Sequence, residues 1–224
     1  MHVFESIDHG SARILTVPGL NGSGPLHWQS LWEQARADTW RAELGDWDRP
    51  ERARWVAHLD SAIAELRAPV VLAAHSLGCI AVAWWAATAT AAMRERVAGA
   101  LMVAPPDLDR AGLAPELASF APMPTAPLPF ASILVASTND PWMRFSRARA
   151  IAARWGSILV DAGARGHMNA DSNIGWWRDG QVLVQRLIDL ARTGARITEL
   201  RAALQSTQIE SAPPHDTGFP PGNR

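Results

Sequence analysis

Cysteine is nearly absent: the 224 residues hold one, Cys79. No internal disulfide is possible, which fits a reducing compartment and sets the expectation of a cytoplasmic protein. Charge of one sign is missing too. Lys and Arg number 21 against 22 Asp and Glu, a formal net charge of -1 with no basic run. Nucleic-acid binding is excluded on that ground, because phosphate contacts need concentrated positive charge. There is no long unbroken apolar run. The uncharged stretch that includes Leu72 to Met93 is interrupted by His75, Ser76, Gly78 and several Thr, whereas a membrane span needs about 20 continuous apolar residues. Met1 to Gly10 carries Glu5 and Asp8 and no apolar core, unlike a secretory leader. No histidine pair has metal-ligand spacing, so neither metal nor other cofactor is expected. No internal repeat is present.

What is there is an alternation of short apolar runs and helical patterns. The strand-type runs are Arg13 to Val17, Thr39 to Leu44, Val70 to His75, Val97 to Val103, Ala131 to Ser137 and Gly156 to Asp161. Between them lie helical faces: Trp28, Leu31, Trp32 and Ala35; Trp55, Leu59, Ala62, Ile63 and Leu66; Ile80, Ala83, Trp84 and Ala87; Phe145, Ala148, Ile151, Ala152 and Trp155. A last pattern runs from Ile174 to Leu190 and extends toward Leu204. Such alternation predicts an α/β fold with a parallel sheet of about six strands and helices on both faces. The expected organisation is one domain over residues 1–205. Residues 206–224, polar with four Pro and no periodicity, read as a disordered tail. Pro105 to Pro129 leaves room for a loop and one short helix but not for a cap domain, so the site is expected to be open.

The chemistry concentrates at Val70-Val71-Leu72-Ala73-Ala74-His75-Ser76-Leu77-Gly78-Cys79. A strand ends in a sharp turn at Ser76 and a helix begins at once, the layout of a nucleophile elbow. Ala74 and Gly78 supply the small residues that such a turn needs on either side. A Ser hydroxyl must give its proton to a neutral imidazole, and a carboxylate must orient that imidazole. In a sheet of this kind the three arrive in the order Ser, acid, His, each after a strand. Ser76, Asp140 and His167 meet that order. Asp161 and, more weakly, Asp107 are rival acids. Pro18-Gly19-Leu20-Asn21-Gly22-Ser23-Gly24 lacks the Gly-Lys-Ser/Thr of a phosphate loop and the third Gly of a dinucleotide loop. It is expected to aim the Leu20 N–H at the oxyanion, with the Leu77 N–H as second donor. His75 is expected to point away from Ser76, and His27 and His58 to sit at polar helix edges. Cys79 reads as a small buried residue, and the 11 Trp as core apart from Trp142 and Trp176, which flank Asp140 and His167 in loops.

Taken together, Pro18 to Gly24 with His27-Trp28, Ala74 to Cys79, Asp140-Pro141-Trp142, Gly166-His167-Met168-Asn169, and Gly175-Trp176-Trp177 with Gly180 resemble the retinoblastoma-binding protein 9 family. This is the YdeN-like group of small serine hydrolases, and the resemblance spans roughly residues 12–190. It implies an α/β-hydrolase fold with little or no cap and a Ser76, Asp140, His167 triad, and it favours Asp140 over Asp161. The L-x-C-x-E motif of the family's named member has only Leu77-x-Cys79-x-Ala81 here, without the Glu. The expectation is therefore a serine hydrolase acting on small esters or amides. The rival is a protein-binding module that retains the hydrolase fold.

Overall fold

Alternation along the strands sorts the core into two layers. In the computed structural model, residues 12–66, 68–193, 198–200 and 202 are described. Six strands form one sheet: β1 (Arg13–Val17), β2 (Thr39–Arg41), β3 (Val70–His75), β4 (Val97–Val103), β5 (Ser132–Ala136) and β6 (Ile158–Asp161). Their order is β2-β1-β3-β4-β5-β6, and every pair is parallel. Successive side chains of a strand point to opposite faces. Accordingly Leu15, Leu72, Ala74, Met102 and Leu134 join one cluster, and Ile14, Val71, Ala73, Leu101 and Ile133 join the other. The first face is covered by α2 (Arg52–Glu65), α3 (Leu77–Thr88) and α5 (Phe145–Trp155), the second by α1 (Trp28–Ala35) and α6 (Arg178–Thr193). Trp28, Trp32, Trp55, Trp85 and Trp155 are fully buried between these layers. Burying a large apolar side chain contributes about 1.5–3 kcal/mol.

The strand order reverses beside β1: β2 lies on one side of it and β3 on the other. A crevice opens at such a switch point, outside the carboxyl ends of the strands. The Gly-rich loop leaves β1 there and Ser76 leaves β3 there. The α/β architecture, the parallel sheet and its six strands agree with the sequence reading. Differences lie at the ends. β2 stops at Arg41, short of Leu44, although Ala42 and Leu44 remain buried. The last helix starts at Arg178 instead of Ile174, because Asn173, Gly175 and Trp177 all take positive φ, which interrupts a right-handed helix. A short helix α4 (Ala91–Glu95) was not expected; none of its residues is buried, so it has no apolar periodicity to detect. The segment after β4 holds one short 3₁₀ helix, Pro115–Phe120, as anticipated, and no cap domain. The expectations for residues 1–10, for a helix reaching Leu204 and for a disordered tail lie outside the described residues. Among the described residues, no helix is long and apolar enough to cross a membrane.

One close approach couples the two loops at the switch point. A Cβ placed on Gly78, in the first turn of α3, would stand 2.2 Å from the Val17 carbonyl oxygen and 2.5 Å from that of Pro18. Both obstacles are backbone and neither can rotate aside. Gly78→Ala is therefore expected to cost about 3 kcal/mol or more, read as a lowered urea midpoint. An unchanged midpoint would show that α3 can be displaced from β1 at no cost.

Candidate active site

Ser76 sits at the turn between β3 and α3 with φ 51° and ψ -125°. A positive φ at a non-glycine residue costs on the order of 1–3 kcal/mol and persists only where its surroundings enforce it. Here the Ser76 N–H donates to the Val103 carbonyl at 2.9 Å and the Cys79 N–H donates back to the Ser76 carbonyl at 3.0 Å. The turn lifts the side chain of Ser76 out of the strand, leaving it half-buried. Beside it runs the loop from β1. A Cβ on Gly19 would lie 2.8 Å from Ser76 Cβ and 3.1 Å from the Leu77 nitrogen. Leu20 is thereby held next to the start of α3. Among the described residues, no hydrogen-bond partner takes the N–H of Leu20 or Leu77. The loop is anchored by buried polar groups: Ser23 Oγ donates to the Gln29 side chain, and Gln29 Nε2 donates to the Ala73 carbonyl at 2.8 Å. The sequence reading missed these anchors because a polar residue on an amphipathic helix, such as Gln29, ordinarily faces solvent, and a loop serine such as Ser23 carries no sign of its partner.

His167 reaches Ser76 from the loop after β6. Its Nε2 lies 2.8 Å from Ser76 Oγ, and its Nδ1 lies 3.1 and 3.0 Å from the two carboxylate oxygens of Asp140. The Asp140 side chain is only 2% exposed, and the Trp142 N–H donates to its Oδ1 at 2.8 Å. A buried carboxylate is tolerated when it is hydrogen-bonded in this way. The two loops are also tied directly: Asn139 Oδ1 accepts from the Gly166 N–H at 2.7 Å and from Ser137 Oγ at 2.8 Å, and Ser137 Oγ accepts from the Arg165 N–H at 2.9 Å. The sequence reading assigns no role to Asn139 and places Ser137 only at the end of a strand run. The structure thus brings Ser76, Asp140 and His167 into one chain of hydrogen bonds, with Leu20 and Leu77 beside it.

The rival acids are elsewhere engaged. Asp161 Oδ1 accepts from the Gly163 N–H at 2.8 Å and shapes the exit loop, while Asp107 pairs with Arg147 at 3.4 Å. Cys79 is buried with its thiol near the Val103 carbonyl, and burial pushes its pKa well up, away from nucleophilic character. Leu77, Cys79 and Ala81 are all inside the core, so no partner can read them as a linear motif. His58 is exposed, as expected.

His27 departs from expectation. It is buried, not at a polar edge, and its ring lies 4.7 Å from that of His75, which in turn lies 5.0 Å from the ring of His167. His27 Nδ1 caps α1 by accepting from the Gln29 N–H at 3.2 Å, and its Nε2 has no partner among the described residues. Burial, helped by the positive charge of Arg41 and the proximity of His167, lowers the His27 pKa to about 4. Burial also lowers that of His75, helped by His27 and His167.

Trp142 stands 6.3 Å from the His167 ring, 43% exposed, with the Arg110 guanidinium 5.3 Å from its centroid. It lines a cleft of about 490 Å³ together with Arg165, His167 and Asp171. Trp176, its expected counterpart, is also exposed, but its carbonyl receives the Trp32 Nε1–H and its side chain does not line that cleft.

Residues 14–186 match the family described as serine hydrolase. A YdeN-like hydrolase from Pectobacterium atrosepticum is 31% identical, with a TM-score of 0.69 over 82% of this chain and 92% of that one. The ydeN gene product of B. subtilis is 18% identical, with a TM-score of 0.61 over 78% of this chain and 98% of that one. Thermogutta terrifontis esterase 2, solved phosphonylated by cyclosarin, is 20% identical, with a TM-score of 0.55 over 85% of this chain and 83% of that one. The last two likenesses concern the fold. No curated protein matches the chain.

The buried His27 makes stability depend on pH. Its folded pKa of about 4 lies below the ordinary value of 6.5, so unfolding takes up a proton in between. Stability is full above that ordinary value and falls as pH drops toward the folded pKa. His27→Asn keeps a capping acceptor and removes the titration. Urea denaturation near pH 7 and near pH 5 is expected to show the wild type losing about 2 kcal/mol more than this variant. Parallel losses would show that His27 ionises freely in the folded protein.

Proposed function

The chain belongs to the serine hydrolase family, and from that footing we propose that it cleaves small carboxylic esters or amides through an acyl-enzyme on Ser76. The observation that carries this reading is the 2.8 Å approach of His167 Nε2 to Ser76 Oγ, continued at 3.0 Å from His167 Nδ1 to Asp140. Neutral His167 takes the hydroxyl proton as Ser76 Oγ attacks the substrate carbonyl carbon. Asp140 accepts the Nδ1–H, which fixes the tautomer and offsets the charge that the imidazole gains. The carbonyl oxygen becomes an oxyanion, for which the Leu77 and Leu20 N–H groups are the donors. Each such donor is typically worth about 3 kcal/mol in the transition state. The start of α3 adds the positive end of its backbone dipole.

His167 then gives the proton to the departing oxygen or nitrogen, and the acyl group stays on Ser76. Water attacks the acyl carbon with His167 again as base, releasing the acid and restoring the hydroxyl. Ester or amide, water and proton balance without a cofactor. The absence of a cap domain suits small substrates entering from solvent. The buried single thiol and the lack of a membrane-spanning helix among the described residues suit a cytoplasmic enzyme whose substrates are small molecules.

The test is covalent labelling with a fluorophosphonate, a class of reagent suggested by the phosphonylated esterase 2 of Thermogutta terrifontis. One adduct is expected, on Ser76, and none in Ser76→Ala. An adduct elsewhere, or full ester hydrolysis by Ser76→Ala, would refute the assignment. Asp140→Asn is expected to lower kcat by about 10⁴-fold by stabilising the wrong imidazole tautomer. Asp161→Asn, which alters only the exit loop, should leave kcat close to wild type. The opposite ranking would transfer the acid's role to Asp161.

A further inference from the structure

We infer that His75, the residue immediately before Ser76, is a positioning residue that grips His167 by its main chain while Ser76 meets the same residue's side chain. His75 Nε2 lies 2.9 Å from the His167 carbonyl oxygen, and Ser76 Oγ lies 2.8 Å from His167 Nε2. The inference rests on the reading of Ser76 as nucleophile and His167 as base.

A carbonyl oxygen only accepts, so the His75 nitrogen that meets it carries the proton. That fixes the tautomer of His75 without any further assumption. The direction of the side chain follows from strand parity. Val71 and Ala73 face the layer of α1 and α6, and His75 continues that series onto the same face. Ser76, in the turn, points to the crevice. Two consecutive residues therefore hold one histidine at two points, and a single peptide unit sets the spacing between them.

The loop carrying His167 depends on such a tether. It has left the β6 ladder, and Gly163, Gly166 and Met168 all take positive φ, so its course is not dictated by strand pairing. Trp28 Nε1 donates to the Met168 carbonyl at 3.1 Å, one residue beyond the His75 contact. Together these two donors pin successive carbonyls of the loop to α1 and β3. His75 is buried beside His27 and His167 and is kept uncharged by that burial. A neutral strut suits its place, 5.0 Å from a ring that becomes positive during the reaction. The other groups around it are the rings of His27 and Trp28.

The experiment compares three variants of the full chain with the wild type: His75→Phe, His75→Gln and His75→Asn. Phenylalanine keeps a flat ring and loses the donor. Glutamine can set its amide nitrogen where Nε2 stood, whereas asparagine is too short. Active sites are counted by fluorophosphonate titration, and p-nitrophenyl acetate turnover is expressed per titrated site. The Phe and Asn variants are expected to lose roughly 10–100-fold in kcat, the scale of a misplaced catalytic group, with KM within about twofold. The Gln variant is expected to recover most of that loss. The acid limb of the kcat profile should keep its midpoint, because the strut carries no charge. A merely structural role would lower the melting temperature and the number of titrated sites but leave kcat per site unchanged, and that result overturns the inference. If His75→Phe fails to fold, the Gln and Asn pair decides, and equal kcat in both overturns it. A wild type that takes no label would instead refute the reading of Ser76.

Discussion

The close contact of α3 with the end of β1 is the constraint on which the site depends. Gly78 lies so near the Val17 and Pro18 carbonyls that no side chain fits between them. That approach brings the start of one helix against the exit of another strand, and three consequences follow. The chain must turn within one residue, which forces Ser76 to positive φ. The Leu77 N–H, at the start of the helix, ends beside the Gly19-Leu20 segment. Ser76 is presented at the switch point of the sheet, where the crevice opens. A looser packing at Gly78 would relax the turn and separate the two loops together.

Much of this was legible because strands and elbows leave periodic or positional marks. The runs of β3, β4 and β5 are close to continuous, since the inner strands of a parallel sheet are covered on both faces and give no polar alternation to confuse the reading. Gly78 and Ala74 were readable because a tight turn excludes side chains by size. The order Ser76, Asp140, His167 was readable because Ser76 directly follows a strand and the other two lie in the loops that leave later strands. Other features were not legible. α4 has no buried face. The start of α6 is set by three positive-φ residues, two of which, Asn173 and Trp177, are not glycine. His27, Gln29 and Ser23 are buried polar groups whose partners, in the backbone or in another side chain, no periodicity reveals. Gln29, for example, reaches the Ala73 carbonyl. Pattern alone assigns such residues to the surface, because burial of a polar group is favourable only when a specific partner is waiting.

The histidines show how parity and partner act together. The alternation of β3 fixes which face His75 takes, and this much is contained in the sequence. That the face also holds a returning loop from β6 is a property of the sheet order. His167 can stand against His75 only because its loop folds back across the carboxyl edge. The tether from Trp28 to Met168 belongs to the same layer. The α1 face is therefore more than a cover for the sheet: the rings of His27, Trp28 and His75 form a packed backing behind His167. Trp32 and Trp177 extend this backing to α6.

The energetic character of the site bears on the rival reading of a binding module. Ser76 sits in a costly backbone conformation, and Asp140 keeps a carboxylate in a site only 2% exposed. Two histidines are buried at the expense of stability in acid. Sequences drift away from such costs unless something retains them. A surface that merely held a partner would gain nothing from a strained serine aligned on an imidazole. It would gain nothing from a carboxylate aligned on the imidazole's far side, and most of these groups face inward, where a partner cannot reach them. The exposed aromatic Trp142, pinned by Arg110 and next to His167, is the kind of group that a partner or a substrate can touch. Its place at the edge of the hydrogen-bonded chain sets one exposed aromatic group beside the buried, costly ones.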